Sequence, residues 1–333
     1  MKKASTFFQG KTILVTGGAG FIGSTLIDRL LTYDVKRIIT FDKFLRGRRE
    51  NLIDAQKSGK VDVVKADIRS NDLDRFFKGV DYVYHLTAIR LTLCAEDPRL
   101  CHEVMVDGTF NVLEQCVRHK VKKIIFPSSA EVYGEPFVKT QGKPFLMSES
   151  HPFNTTTSYG AAKLAGEYMV RAFHKKYGLP YTILRYFNAY GPRMDIYSDQ
   201  KEVIIKFIES IKEGKAPMIF GDGKNAMDFT YIDDIINATI LATVSTQPTS
   251  VYNIGTGKPT SLASLASKLP RLLTVPKSPK PILTPSSRPQ VQSRIANITK
   301  AQKELGYSPS VTINQGLKQL IDWYDSVSIQ NHS

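Results

Sequence analysis

Tyr159 and Lys163 stand four residues apart in Tyr159-Gly-Ala-Ala-Lys163, a spacing that makes two side chains neighbours on one helix face. A phenol and an ammonium so placed can move a proton. Free tyrosine, with a pKa of about 10, is a poor base at neutral pH, and an adjacent Lys⁺ is expected to favour the phenolate and lower that value. An isolated match of this kind is common by chance, and its bland reading is a half-buried Tyr beside a solvated Lys. Here a second segment supports the pair. The apolar run Lys123-Ile-Ile-Phe126 leads into Pro127-Ser128-Ser129-Ala130-Glu131-Val132-Tyr133-Gly134. A hydroxyl at the carboxyl end of a parallel strand sits where open α/β sheets bind ligands, so Ser129 is placed to bond a substrate alcohol and relay its proton to Tyr159. The competing reading is that Ser128 and Ser129 cap a turn.

What such a pair would work beside is written near the amino terminus. Thr12 to Val15 form an apolar, β-branched run suited to a strand buried on both faces. Gly17, Gly20 and Gly23 follow in a G-x-x-G-x-x-G spacing, and Ser24 to Leu31 read as a helix. Free backbone N–H groups at a helix start attract a pyrophosphate, and glycines let the backbone approach it. The next strand, Arg37 to Phe41, ends in Asp42. An acidic side chain about 20 residues past the glycines suits the 2′-hydroxyl of NAD and repels a 2′-phosphate. Arg46, Arg48 and Arg49 follow closely, which keeps NADP open. An oxidised nicotinamide would further favour the Tyr159 phenolate, and Lys163 is also placed to hold the nicotinamide ribose.

Strand and helix patterns alternate from Thr12 to about Arg185, near residues 12–16, 37–42, 61–65, 81–85, 123–128 and 181–185 for the strands. This predicts an α/β chain with a Rossmann-type, doubly wound parallel sheet. Helices over 98–118 and 158–177 flank the site. The division expected is an NAD-binding domain over 1–188 and a smaller C-terminal α/β lobe for substrate over 189–330. Helices are expected there at 200–213, 232–244, 262–273, 299–305 and 313–327. The Pro-rich stretch 270–289 predicts an ordered loop with a short strand around 281–283, because Pro disfavours helix.

In its ordered motifs the chain resembles the extended short-chain dehydrogenase/reductases, and among them the nucleotide-sugar epimerases and dehydratases. The motifs are the glycine turn through Phe21-Ile22-Gly23, Asp67-Ile68, His85-Leu86-Thr87-Ala88, Gly108-Thr109, the Ser129 segment, the Tyr159 helix, Arg185 to Arg193, Phe220 to Gly223, Asp228 to Asp234, Tyr252 to Gly257 and Leu305-Gly-Tyr. The resemblance covers nearly the whole chain. It implies that Gly17, Gly20, Phe21, Ile22, Gly23, Asp42, Asp67, Ile68, Leu86 and Ala88 hold NAD, together with Tyr159 and Lys163. It implies that Tyr159, Lys163 and Ser129 are catalytic, and that Asn188, Arg193 and Arg288 bind the sugar diphosphate. A homodimer through the helices at 98–118 and 158–177 is implied as well.

The resemblance also frames the reaction. After oxidation at C4, a 4-epimerase returns hydride to the other face, a 4,6-dehydratase eliminates water, and a decarboxylase loses carbon dioxide from a uronate. Ala130-Glu131 follows Ser129. Ala130 cannot donate a proton, which counts against the Asp-Glu dehydratases. Glu131 is unusual for an epimerase and is a candidate C5 base, or else a carboxylate turned away and satisfied by a backbone N–H or an Arg. A UDP-sugar 4-epimerase is favoured, with a dehydratase or UDP-glucuronate decarboxylase using Glu131 as the alternative. Departures from the family are Thr87, Met105 in place of Asn, and Arg288-Pro-Gln-Val in place of Arg-Pro-Gly-Asp.

Composition bounds the rest. The chain has 333 residues, 45 Lys and Arg against 31 Asp and Glu, and a net charge of +14. The basic residues are dispersed, with no aromatic-interleaved stripe, so nucleic acid is disfavoured as a partner and a non-catalytic NAD- or RNA-binding module is a distant alternative. No run is long and apolar enough to span a membrane. The first residues are expected to lead straight into the first strand, leaving no room for a signal peptide. Cys94, Cys101 and Cys116 lack framework or metal spacing, so no metal site is expected, and reduced thiols in a cytoplasmic enzyme are expected.

Overall fold

The computed structural model of the chain describes residues 2–135, 145–275, 277–285 and 293–330. Its centre is a parallel sheet of seven strands: β1 (Thr12–Thr16), β2 (Arg37–Asp42), β3 (Val61–Lys65), β4 (Tyr82–His85), β5 (Lys123–Ser129), β6 (Tyr181–Tyr186) and β7 (Thr249–Ile254), in the order β7-β6-β5-β4-β1-β2-β3. The order reverses between β1 and β4, so their carboxyl ends open the crevice in which doubly wound sheets bind ligands. The five residues of β1 are all buried, which is why an uninterrupted apolar and β-branched run is needed there.

Helices cover both faces. They are α1 (Lys2–Phe8), α2 (Phe21–Leu31), α3 (Leu91–Glu96), α4 (the consecutive segments Pro98–His102, Glu103–Asp107 and Gly108–Arg118), α5 (Ser158–Tyr177), α6 (Val203–Lys212), α7 (Ile232–Val244), α8 (Leu262–Leu272), α9 (Thr299–Leu305) and α10 (Ile313–Gln330). The middle segment of α4 is a π-bulge, a form found often at functional sites. One core, with Ile13, Leu26, Ile27, Leu184 and Ile235, lies on one side of the sheet. The other, with Leu14, Val83, Val112, Phe126 and Val170, packs under α4 and α5. Each such side chain taken from water stabilises the fold by roughly 1.5–3 kcal/mol before entropy is counted.

Two expectations are corrected. The residues before β1 form the helix α1, held by Phe8, which is fully buried and stacks on Tyr33 at 5.2 Å. The sheet gains a seventh strand, β7, which pairs along its whole length with β6 although it lies beyond residue 189. Helix α8 runs through Pro270 to Leu272, because Leu265, Ala266 and Leu269 bury one face and the proline falls in the last turn. The short strand Ile282–Thr284 is present and pairs with Met218–Phe220. Arg288 lies outside the described residues.

Candidate active site

The carboxyl ends of β1, β2, β4 and β5 surround a cavity of about 1090 Å³, at the upper end of the size usual for ligand pockets. Its floor is the glycine turn. Gly17 has φ +70°, and a Cβ there would stand 2.9 Å from the Thr87 backbone nitrogen; a Cβ on Gly23 would stand 2.4 Å from the Gly17 carbonyl. Neither position accepts a side chain without moving backbone. Helix α2 starts at once, and its N-cap, Gly20, makes no side-chain cap hydrogen bond. The first N–H groups of α2 are thereby left for an anion.

Asp42 stands at the end of β2 beside this turn. Its carboxylate accepts hydrogen bonds from Ala19 N at 3.2 Å and Phe44 N at 2.7 Å. Burial raises its pKa, and these two N–H groups oppose the rise. The three nearby arginines are engaged elsewhere: Arg46 with Asp195, Arg48 over the Tyr197 ring, and Arg49 over the Phe44 ring. The acidic ribose end and the committed guanidinium groups fit NAD. Farther along the same wall lie Asp67, Ile68, Leu86 and Ala88, with Phe21 and Ile22 of α2. Arg69 grips the Asp67 carboxylate through Nε and Nη2 and holds it well below the usual carboxylate range.

At the other end the reactive side chains meet. Tyr159 lies in the first turn of α5, capped by Thr157 Oγ1, which accepts from Gly160 N at 3.0 Å. Lys163, one turn on, is buried, and its Nζ donates to the Pro127 carbonyl at 2.7 Å. Ser129 both caps the turn after β5, by accepting from Glu131 N at 3.2 Å, and hydrogen bonds with the Tyr159 phenol. Ser129 thus caps the turn and also stands beside the phenol.

The electrostatics of the pair depart from expectation. Burial pushes the Tyr159 phenol up to about 12, opposed chiefly by Ser129, and burial pushes Lys163 down to about 8, opposed by Glu167. The expected lowering of the phenol pKa by Lys163 is not found: desolvation dominates, and the Lys163 Nζ lies 6.0 Å from the ring centroid. Beneath the pair, the buried His85 joins Thr16 Oγ1 at 2.8 Å and Thr109 Oγ1 at 3.0 Å, and burial drives its pKa down to about 3. At neutral pH this imidazole is therefore uncharged. Ser128 also lines the cavity, with its Oγ buried and unpartnered among the described residues.

Glu131 faces the cavity and is tied by Oε1 to Arg294 Nη2 at 2.5 Å. Arg294, on the strand Ser293–Ala296, was not foreseen; its Nη1 is buried without a hydrogen-bond partner among the described residues. Asn188 is exposed to the cavity, with φ +27° and a hydrogen bond to the Asp228 carbonyl at 3.3 Å. Arg193 also lines it, but its Nη1 is 2.7 Å from Asp28 of α2.

The cysteines correct another expectation. Cys94 of α3 and Cys101 of α4 are joined as a disulfide, and only Cys116 is free. A short turn brings the two helices together, which a seven-residue separation did not reveal. The sulfur of Met105, the departure from the family's Asn, lies 3.8 Å from each of the two sulfurs. Among the described residues no group of His, Cys, Asp and Glu could hold a metal ion, and no helix is long and apolar enough to cross a membrane.

The comparisons agree with this geometry. A profile of the NAD dependent epimerase/dehydratase family matches residues 13–255. A putative UDP-glucose 4-epimerase of Methanocaldococcus jannaschii is 35% identical over 93% of this chain and 97% of its own length. A UDP-N-acetyl-alpha-D-glucosaminuronate decarboxylase of Bacillus cytotoxicus is 31% identical over 95% of this chain and 98% of its own. Among solved structures, a UDP-glucuronic acid 4-epimerase from Bacillus cereus, in complex with UDP-glucuronic acid and NAD, aligns with a TM-score of 0.85 at 32% identity, covering 95% of this chain and 99% of that one. The chain belongs to the NAD dependent epimerase/dehydratase family and is an NAD-dependent enzyme of that class.

Proposed function

We propose that the chain is a UDP-sugar 4-epimerase. The observation that carries this reading is the Glu131–Arg294 ion pair beside Ser129 and Tyr159. A general base must present a free lone pair to the proton it removes; Glu131 is instead held by a guanidinium, and Ala130 offers no acid for an elimination. Tyr159, whose phenolate a bound oxidised nicotinamide would favour over the raised pKa of the buried phenol, takes the proton of the sugar 4-hydroxyl while Ser129 orients that hydroxyl. The glycine turn, Asp42 and Lys163 would hold NAD, which would supply reversible hydride exchange at the sugar C4. Asn188 and Arg193, which line the cavity, are assigned to the sugar diphosphate from the sequence, as is Arg288. Incubation with UDP-glucose, UDP-GlcNAc, UDP-glucuronate and dTDP-glucose tests the reading: an epimerised product keeps the mass of its donor. Loss of water or of carbon dioxide from every donor that reacts overturns it.

A second reading rests on Arg294 Nη1. A buried guanidinium nitrogen without a partner suits a substrate carboxylate, and a 4-keto uronate is a β-keto acid that loses carbon dioxide. The decarboxylase relative from Bacillus cytotoxicus supports this alternative. Loss of carbon dioxide from UDP-glucuronate would favour it over epimerisation.

The assembly proposed is a homodimer through α4 and α5. Phe110, Tyr168 and Tyr177 are exposed on these two helices, an apolar set suited to a second copy. Light scattering on the purified chain tests this, and a mass of one chain at micromolar concentration would exclude it.

A further inference from the structure

The segment after Asn188 reaches across the cavity and ties itself to three elements of the dinucleotide wall. Arg193 Nη1 is 2.7 Å from Asp28 on α2. Asp195 accepts from Arg90 Nη1 at 3.0 Å, where Arg90 precedes α3, and lies 3.5 Å from Arg46 Nε on the loop after β2. Tyr197 lies beneath the Arg48 guanidinium, 3.7 Å from it. Glu202 Oε1 takes Arg90 Nη2 at 3.1 Å.

Asp195 is the hub of these contacts. Its carboxylate is held in shape by Tyr197 N at 3.0 Å and by Ser198 N and Oγ at 3.1 and 2.7 Å. Its side chain is only 15% exposed and that of Arg90 only 9%, so salt screens the pair less than an open surface bridge. Arg46 and Arg90 repel each other, and one carboxylate gathers both. Arg46 belongs to the loop beside Asp42, Arg90 follows Leu86 and Ala88, and both line the cavity.

We propose that Asp195 is a positioning residue for cofactor retention: by clasping Arg46 and Arg90 it closes a strap over the dinucleotide cavity, and NAD leaves only when that clasp opens. Removing the carboxylate frees Arg46 and its loop to move off the cavity, while Arg90 is left with Ser198 Oγ at 3.0 Å and Glu202 Oε1 at 3.1 Å. The proposal rests on NAD binding alone and stands whichever sugar is the substrate.

The test uses the full chain loaded with NAD, and follows NAD released after rapid desalting. Asp195→Asn is expected to speed release roughly 10-fold or more, the scale set by lost hydrogen bonds to charged groups. In the unaltered chain release accelerates at roughly 1 M salt, where the Debye length falls to about 3 Å, and in the variant this acceleration is much reduced. Asp195→Glu recovers part of the retention. The defect in turnover falls on the apparent affinity for NAD and not on kcat. A release rate within twofold of the unaltered chain, or a fall in kcat at saturating NAD with release unchanged, overturns the proposal. If Asp195→Asn does not fold, Arg46→Gln breaks the same clasp from an exposed side, and the same two results decide.

Discussion

Lys163 Nζ donates to the Pro127 carbonyl oxygen over 2.7 Å, which pins the first turns of α5 to the strand that ends at Ser129. Phenol, ammonium and hydroxyl are thereby fixed by two regular elements and not by loops. Behind them Arg185 and Glu167, both 1% exposed, form a buried ion pair with Nη2 to Oε2 at 2.7 Å, and Arg185 also donates to Tyr133 at 2.8 Å. A buried pair of this kind costs several kcal/mol if one partner is removed, so it holds β6 against α5 at a set distance.

From this geometry Tyr159→Phe should lower turnover by at least about 100-fold, the usual scale for loss of a positioned acid–base group. Bound NAD should be unchanged, since the ring stays in place. Ser129→Ala should cost less, about 10- to 100-fold, because the phenol remains. Steady-state rates with NAD content measured on the same preparations decide; near-normal turnover in Tyr159→Phe would remove the phenol from the mechanism.

The buried lysine gives stability a pH dependence of known sign. Lys163 is pushed down to about 8, against about 10.4 when unfolded. Between those values the unfolded chain holds a proton that the folded chain has lost, so stability rises with pH; below about 8 both states are protonated and the contribution is flat. Tyr159, pushed up to about 12, acts oppositely: above about 10 the unfolded chain loses a proton the folded chain keeps, and stability falls. Urea unfolding of Lys163→Met should therefore show a rise between about pH 8 and 10 that is smaller than in the unaltered chain by on the order of 3 kcal/mol, the remainder coming from Lys123, which burial also pushes down to about 8. Parallel curves for the two proteins would contradict the burial of a titrating Lys163.

Much of this site was legible in sequence because its parts are local. The glycine turn, Asp42 at the end of β2, and the Tyr159–Lys163 pair each depend on spacings shorter than one helix or one strand-and-turn unit. Helix α7 was readable to the residue for the same reason. What escaped was set by distant partners. Arg294 meets Glu131 across 163 positions and Asp195 meets Arg90 across 105, and no periodicity encodes such a contact. Strand β7, Thr-Ser-Val-Tyr-Asn-Ile, has little apolar alternation; it is a strand because β6 offers it a free edge. The raised phenol pKa was hidden because desolvation depends on the whole cavity and not on the neighbouring lysine.

The Glu131–Arg294 contact separates structural from chemical roles. Glu131→Gln keeps the shape but removes the charge, leaving the mostly buried guanidinium uncompensated. Thermal stability should fall, while epimerisation should stay within about 10-fold of the unaltered rate, because Tyr159 and Ser129 are intact. A loss of more than about 1000-fold, with the fold and bound NAD preserved, would return Glu131 to the role of base.

The Cys94–Cys101 disulfide yields a count that reduction must change. Both sulfurs are buried, and the bond joins α3 to α4, whose Leu93, Leu100 and Val104 line the cavity. Under denaturing conditions without reductant, a thiol reagent should find one group, Cys116, per chain; after reduction it should find three. The closed loop is short, so the stabilisation from restricting the unfolded chain is about 2–3 kcal/mol, and the reduced protein or Cys101→Ser should unfold at correspondingly lower denaturant. Because the bond anchors cavity-lining residues, reduction should also weaken NAD retention. Three reactive thiols before any reductant is added would show that the two sulfurs are not joined in solution.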